Sequence, residues 1–231
     1  MPSLFAQSEL RDLIDYVEKG QRLDADAGLR MINSQEILAL GYMANIVRER
    51  KNGNQTFYMV NRPVDYADID ASFDEIEKRS ISSMVYGNQE SQEERIRRLL
   101  QLRILQDQTK EFLAFSPIPF YSENTKLEGT MGVGTTTGYE DLKMLAISRI
   151  LLDNFDHIKA YWMMLGPKLA QASLAFGVDD LDGTVLEGES GPKAGVELSN
   201  TVSKRALIHL IQKAGRDAVE RDSQYRIRKF N

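Results

Sequence analysis

With 231 residues, 42% hydrophobic and 27% charged, the chain is long enough for one sizeable core and has the composition of an ordinary globular protein. Its net charge of −5 gives no broad attraction to nucleic acid or an anionic membrane, and it has no cysteine and only two histidines. These counts exclude disulfides, thiolate zinc sites, cysteine nucleophiles and an iron–sulfur cluster held by this chain's own thiolates, and they make a histidine-based metal site unexpected. No run reaches the ~18 apolar residues of a membrane span, and MPSLFAQSELRD has no basic-then-apolar signal pattern, so no membrane association and a cytoplasmic location are the default expectations.

Ser8 is placed to cap a first helix whose apolar stripe is Leu10, Leu13, Ile14 and Val17, with Gly20 as its stop. Asp24 starts a short second helix and Ser34 a longer third one, which ends in the basic run RERKNG, suited to the negative end of a helix dipole. Gln55–Asn61 reads as a strand by propensity and alternation. RPVDYADIDASFDEIEK, residues 62–78, breaks the pattern and reads as an irregular join. The expected organisation is therefore an N-terminal helical region and first strand (1–61), the join (62–78), and βα units with a C-terminal cap (79–231), together one domain.

After the join, ISSMVY is a strand closed by Gly87, and Ser91–Gln108 is a helix with Ile96, Leu99, Leu100 and Leu102 to Leu105 supplying its buried side and its arginines, Arg95, Arg97, Arg98 and Arg103, read as a solvated face. Phe112–Ile118 is a strand running into Pro117 and Pro119. The loop that follows contains GTMGVGTTTG, which lacks the GK[ST] ending of a phosphate-cradling loop and reads as a connector or lid. From Tyr139 to Thr184 helix, strand, helix and strand alternate: Leu142, Leu145, Ala146 and Ile150 share a face, and His157–Met164 reads as one buried strand. Gly166-Pro167 opens a helix that Gly177 ends, and Asp179, Asp180, Asp182 and Thr184 cluster around a last short strand. Asp180 and Asp182 share one face of that strand and Asp179 takes the other. Such a cluster admits a Mg²⁺-dependent hydrolase, although solvated, helix-capping aspartates explain it more simply, and the spacing is not that of an EF-hand. Ser203 caps an amphipathic helix with His209 at its edge, and RDAVERDSQYRIRKF adds an edge strand.

Several stretches together resemble aminofutalosine synthase, the radical S-adenosylmethionine enzyme of the futalosine route to menaquinone: LGYMANIVRERKNGNQTFYMVNR, SSMVYG, ERIRRLLQLRILQDQT, TTGYEDLKMLAISRILLDNFDHIKAYWMMLG and LAQASLAFGVDDLDGT. The resemblance covers roughly Leu40–Arg62 and Ser80–Arg228. It implies an α/β fold, a partial, shortened (β/α) TIM-type barrel with N-terminal helices and a C-terminal helix plus edge strand. It also implies an activity in which an adenosyl radical adds to a carboxyvinyloxybenzoate, using a [4Fe–4S] cluster and S-adenosylmethionine.

The chain departs from that pattern where the family carries its CxxxCxxC loop: the strand QTFYMVNR runs through the join directly into SSMVY. The family's YGH reads Tyr86-Gly87-Asn88, its FHPENT reads FYSENT, and Pro192 stands where a histidine follows DDLDGT. No cofactor is therefore expected for this chain, no metal site and no catalytic residue is assigned, and the chain is expected to be inactive alone. What remains of the barrel mouth offers Tyr86, Glu123, Asn124, Thr125, Asp180, Asp182, Thr184 and Glu187 as substrate-binding residues. The alternative reading is a non-catalytic protein that holds a nucleoside-like or aromatic acid ligand, or an oligomeric scaffold self-associating through exposed barrel edges.

Overall fold

The computed structural model describes residues 3–60, 81–120, 136–183, 185–186 and 202–228. The join at 62–78, residues 121–135 of the glycine-rich loop and the expected site residues Glu123, Asn124, Thr125, Thr184 and Glu187 lie outside the described residues.

Three helices come first: α1 (Arg11–Glu18), α2 (Ala25–Asn33) and α3 (Ile37–Asn52). Asp24 caps α2 by accepting from the Ala27 N–H. Neither of the other two expected caps sits at its helix's start. The α1 cap position is Leu10, with Ser8 bonded to the Glu36 carboxylate, and Ser34 precedes the Glu36 cap position of α3 by two residues. Strands β1 (Gln55–Tyr58) and β2 (Ile81–Tyr86) follow, then α4 (Gln92–Thr109), capped by Ser91, and β3 (Ala114–Pro119). Helix α5 (Gly138–Leu151) begins with a reciprocal capping box between Thr137 and Glu140. It is buried over most of its length, because α2 and α3 pack against it as well as β3 and β4.

The run read as one strand from His157 to Met164 divides into β4 (His157–Tyr161) and a helical turn α6 (Trp162–Leu165). An apolar run does not distinguish a strand from a buried turn. Helix α7 (Pro167–Ser173) leads to β5 (Asp180–Asp182); β6 (Val185–Leu186) and β7 (Val202–Ser203) form a separate pair; α8 (Lys204–Lys213), capped by Ser203, leads to β8 (Asp217–Glu220). Two other expectations are corrected on α4. Ile104 and Leu105 lie on the outer surface, whereas Arg103 is folded inward, donating to the Leu23 and Leu151 carbonyls, and Arg95 pairs with Glu90. Amphipathic spacing places these arginines correctly on the helix but does not show where a long side chain sends its head.

Six strands form one sheet in the order β2-β3-β4-β5-β1-β8, and every pairing in it is parallel. From β2 to β5 each strand lies beside the one before it, with α4, α5 and α7 as crossovers. β1 and β2 break this rule: consecutive in the chain, they stand four places apart, and β1 pairs instead with β5. Pairing the first strand with the last of the series is the closure contact of a (β/α) barrel, so the fold is a partial barrel with helices packed on its outer face. On the free side of β1 stands β8, the expected edge strand.

Candidate functional site

Strand alternation sorts the side chains near the carboxyl ends of the strands. Ile158, Ala160 and Leu181 face the helices and join the core. The register sets Phe57 beside Asp180, Lys159 beside Asp180, and Tyr161 beside Asp182, so His157, Lys159, Asp180 and Asp182 lie on the inner face. Val219 of β8 is in register with Phe57, which brings Arg221, two residues on, to the same face.

There the charges interlock. Lys159 is ion-paired with Asp182, both nearly buried. Arg221, fully buried, donates through Nε to Asp180 Oδ2 at 2.9 Å, and its Nη2 lies 2.7 Å from that oxygen and 3.7 Å from Asp182 Oδ2. Beyond Arg221 the chain turns back, making an antiparallel bridge between Arg221 and Ile227 and a bond from the Arg228 N–H to the Glu220 carbonyl. This turn carries Tyr225, with φ +58°, onto the inner face. Its hydroxyl donates to Asp180, its ring stacks on His157 at 4.0 Å and 9°, and the Arg221 guanidinium sits 4.2 Å from its centroid.

Burial by itself raises a carboxyl pKa, but Lys159 and Arg221 reverse this and hold Asp182 below the ordinary carboxylate range. Burial likewise opposes the charge on Arg221, and Asp180 overrides it, pushing the guanidinium further up. Burial and the neighbouring Asp180 carboxylate keep the Tyr225 phenol well above its usual value, so it is a hydroxyl donor. Two cations thus neutralise two carboxylates, while Asp180 Oδ1 is buried with no hydrogen-bond partner among the described residues.

A second network sits at the amino ends of β4 and β5 and locks this pair of strands in place. Asp179 takes the opposite face from Asp180, as alternation predicts, and is fully buried. It accepts from Arg149 of α5, from the Ile158 N–H at 2.8 Å and from Asn52 at 2.9 Å, and it bonds His157 Nδ1 at 2.6 Å. Gly177 is required nearby: at φ +88° an added Cβ would stand 2.7 Å from Arg149 Cβ.

Of the residues expected to bind substrate, Asp180 and Asp182 come together here. They are ion-paired on a buried face, which corrects the expectation of solvated, helix-capping aspartates. Tyr86 does not join them. Ser82, Met84 and Tyr86 alternate onto the helix side, where the Tyr86 hydroxyl donates to Asp141 Oδ1 at 2.6 Å in a buried contact. Burial and the Asp141 carboxylate raise the Tyr86 pKa, and burial raises that of Asp141. Among the described residues no group of three or more His, Asp or Glu is placed to hold a metal ion, and Asp179 stands on the opposite face from Asp180 and Asp182, so nothing here supports the minor Mg²⁺ alternative. Lys159, Arg221 and Tyr225 were not singled out from the sequence. Lys159 left one signal, a lysine in the middle of a buried apolar strand, which needs a carboxylate partner.

Residues 109–231 match the family model described as the CofH/MqnC C-terminal region. Over 146 residues the chain is 44% identical to the aminodeoxyfutalosine synthase of Thermus thermophilus, covering 63% of this chain and 39% of that relative. Over 148 residues it is 37% identical to the 5-amino-6-(D-ribitylamino)uracil–L-tyrosine 4-hydroxyphenyl transferase of Methanoculleus marisnigri, covering 64% of this chain and 40% of the relative. The chain therefore spans about two-fifths of the length of these curated relatives. In fold it is similar to the hydrogenase maturase HydG of Carboxydothermus hydrogenoformans, with a TM-score of 0.63 at 12% identity over 95% of this chain and 81% of that one.

Proposed function

The chain belongs to the CofH/MqnC C-terminal-region family, and from that premise we propose that it is the later-strand portion of a barrel of the aminofutalosine-synthase type, unable to start radical chemistry by itself. The observation that carries this reading is the pairing of a 44% identity to such a synthase with the complete absence of cysteine. The family's [4Fe–4S] cluster is held by three thiolates. These 231 residues have no thiolate, and the described ones offer no substitute set of three ligands, so they do not fit the cluster.

What these residues can do is bind and orient. The inner face is a neutralised, preorganised polar surface on which Asp180 Oδ1, itself buried, has no hydrogen-bond partner among the described residues. That atom also supports a second reading, a non-catalytic protein that holds a nucleoside-like or aromatic acid molecule at the same face.

The test is an anaerobic incubation of the purified chain with S-adenosylmethionine and a strong reductant, after exposure to iron and sulfide. The expected result is no 5′-deoxyadenosine above a protein-free control. Stoichiometric 5′-deoxyadenosine would overturn the main reading. Calorimetric titration with nucleosides and hydroxybenzoates addresses the second, and the absence of heat for Asp180→Asn together with heat for wild type would place binding at this carboxylate.

A further inference from the structure

A cleft of about 270 Å³ opens in the helical layer, between the end of α2 and the first turns of α4 and α5. It shares no residue with the inner face of the sheet. Ile32, Met144 and Tyr139 give it apolar wall, and Lys143 and Arg95 bring it two cations.

Lys143 is 8% exposed. A lysine or arginine taken out of water needs a carboxylate beside it. Among the described residues every other buried one has such a partner: Arg48 has Glu49 at 3.5 Å, Arg149 has Asp179, Lys159 has Asp182, and Arg221 has Asp180 at 2.7 Å. Lys143 has none among these residues. Its Nζ donates to the Ile32 carbonyl at 3.2 Å and the Ser34 carbonyl at 2.6 Å, and it lies 5.1 Å from the Tyr139 ring centroid. Two of its three donors are thereby used, and carbonyls at the end of α2 return only about half a charge.

The carboxylates bordering the cleft are engaged elsewhere. Glu90 accepts from Arg95 Nε at 2.7 Å and from the Gly87 and Asn88 N–H groups, and Glu140 accepts from the Thr137 N–H. Glu90 thus neutralises Arg95, whose Nη groups have no acceptor among the described residues. Glu140 acts on Lys143 only from beyond ion-pair distance.

We propose that this cleft binds a small monocarboxylate, whose oxygens complete the Lys143 ammonium and whose short apolar body lies against Ile32 and Met144. One uncompensated cation selects a monoanion, because a phosphate dianion would bring a second charge to a cleft that Glu90 and Glu140 already border. The volume sets the size, being below the ~300 Å³ at which sites for drug-sized ligands begin.

The experiment is an amide NMR titration of the full chain with sodium butyrate at constant ionic strength, with inorganic phosphate as a second arm. The expected result is saturating shifts at the amides of Asn33, Gln35, Tyr139 and Lys143, with phosphate weaker than butyrate. Lys143→Met is expected to weaken butyrate binding by about tenfold or more, the loss of one charge-assisted hydrogen bond. Arg97→Gln removes an exposed cation of α4 outside the cleft and is expected to leave binding unchanged. Shifts that do not saturate, equal affinity in Lys143→Met, or tighter phosphate binding at these amides would each overturn the proposal. So would saturating shifts centred on Asp180 and Asp182, which would move the acid to the inner face. If Lys143→Met does not fold, contacts from the butyrate methyl to Ile32 and Met144 in the wild-type chain decide, and their absence at saturation refutes the site.

Discussion

Asp179→Ala removes the carboxylate that four groups converge on, and its cost can be worked from the contacts. Arg149 is fully buried, and among the described residues its donors reach, besides Asp179, only carbonyls, those of Gly177 at 2.9 Å, Phe155 at 3.2 Å and Asp156 at 3.3 Å. Removing one partner of a buried pair leaves an uncompensated charge and costs about 3–5 kcal/mol. The Ile158 N–H also loses its acceptor, a loss of about 1–3 kcal/mol that overlaps the first. The expected loss is therefore about 4 kcal/mol. Trp162, the chain's single tryptophan and 2% exposed, reports unfolding directly by fluorescence in urea. Adding Arg149→Met removes the stranded charge, and the double variant is expected to regain at least about 1 kcal/mol over Asp179→Ala alone. An Asp179→Ala variant within about 0.5 kcal/mol of wild type, or strictly additive effects, would show that Arg149 does not depend on this carboxylate.

Other outcomes follow from the same contacts. At Gly183, φ is +147° and an added Cβ would lie 2.4 Å from Trp162 Nε1, so Gly183→Ala is expected to cost about 1–3 kcal/mol and to shift Trp162 emission, both read in one denaturation series. Tyr225→Phe keeps the stack on His157 but leaves Asp180 without its hydroxyl donor; the expected loss is about 1–3 kcal/mol in urea unfolding. Asp141 has a raised pKa, so its contribution is fully favourable below the unfolded carboxylate pKa and is lost as pH rises through the folded one. Asp141→Asn should therefore melt above wild type near pH 7, with the gap closing towards pH ~4; a gap that widens on acidification contradicts this assignment.

Local features of the chain were legible in the sequence wherever one residue type has one physical use. Asp24 and Ser203 cap the helices expected of them because their side-chain oxygens accept the orphan N–H groups of the first turn, whereas Ser8 and Ser34, equally suited by type, lie two residues before their helices' cap positions and bond Glu36 and Glu9 instead. The opposite faces of Asp179 and Asp180 follow from the period of a strand. Site partners were not legible in this way. Arg221 and Tyr225 lie some forty residues beyond Asp180 in sequence, and only the pairing of β8 with β1 brings them to it. Periodicity describes an element's own faces and carries no information about which distant element will meet them. Tyr86 illustrates the converse: its position at a strand's carboxyl end suggested a site, whereas alternation, applied from Ser82 onward, puts it under α5.

A barrel portion that orients ligands without a cluster of its own should take up no iron, and iron and acid-labile sulfide content after anaerobic reconstitution tests this most directly. The expected result is fewer than about 0.1 iron or sulfide per chain after desalting, with no cluster signal on reduction, since there is no thiolate to hold either. Close to four iron and four sulfide per chain, with a reduced-cluster resonance, would contradict it.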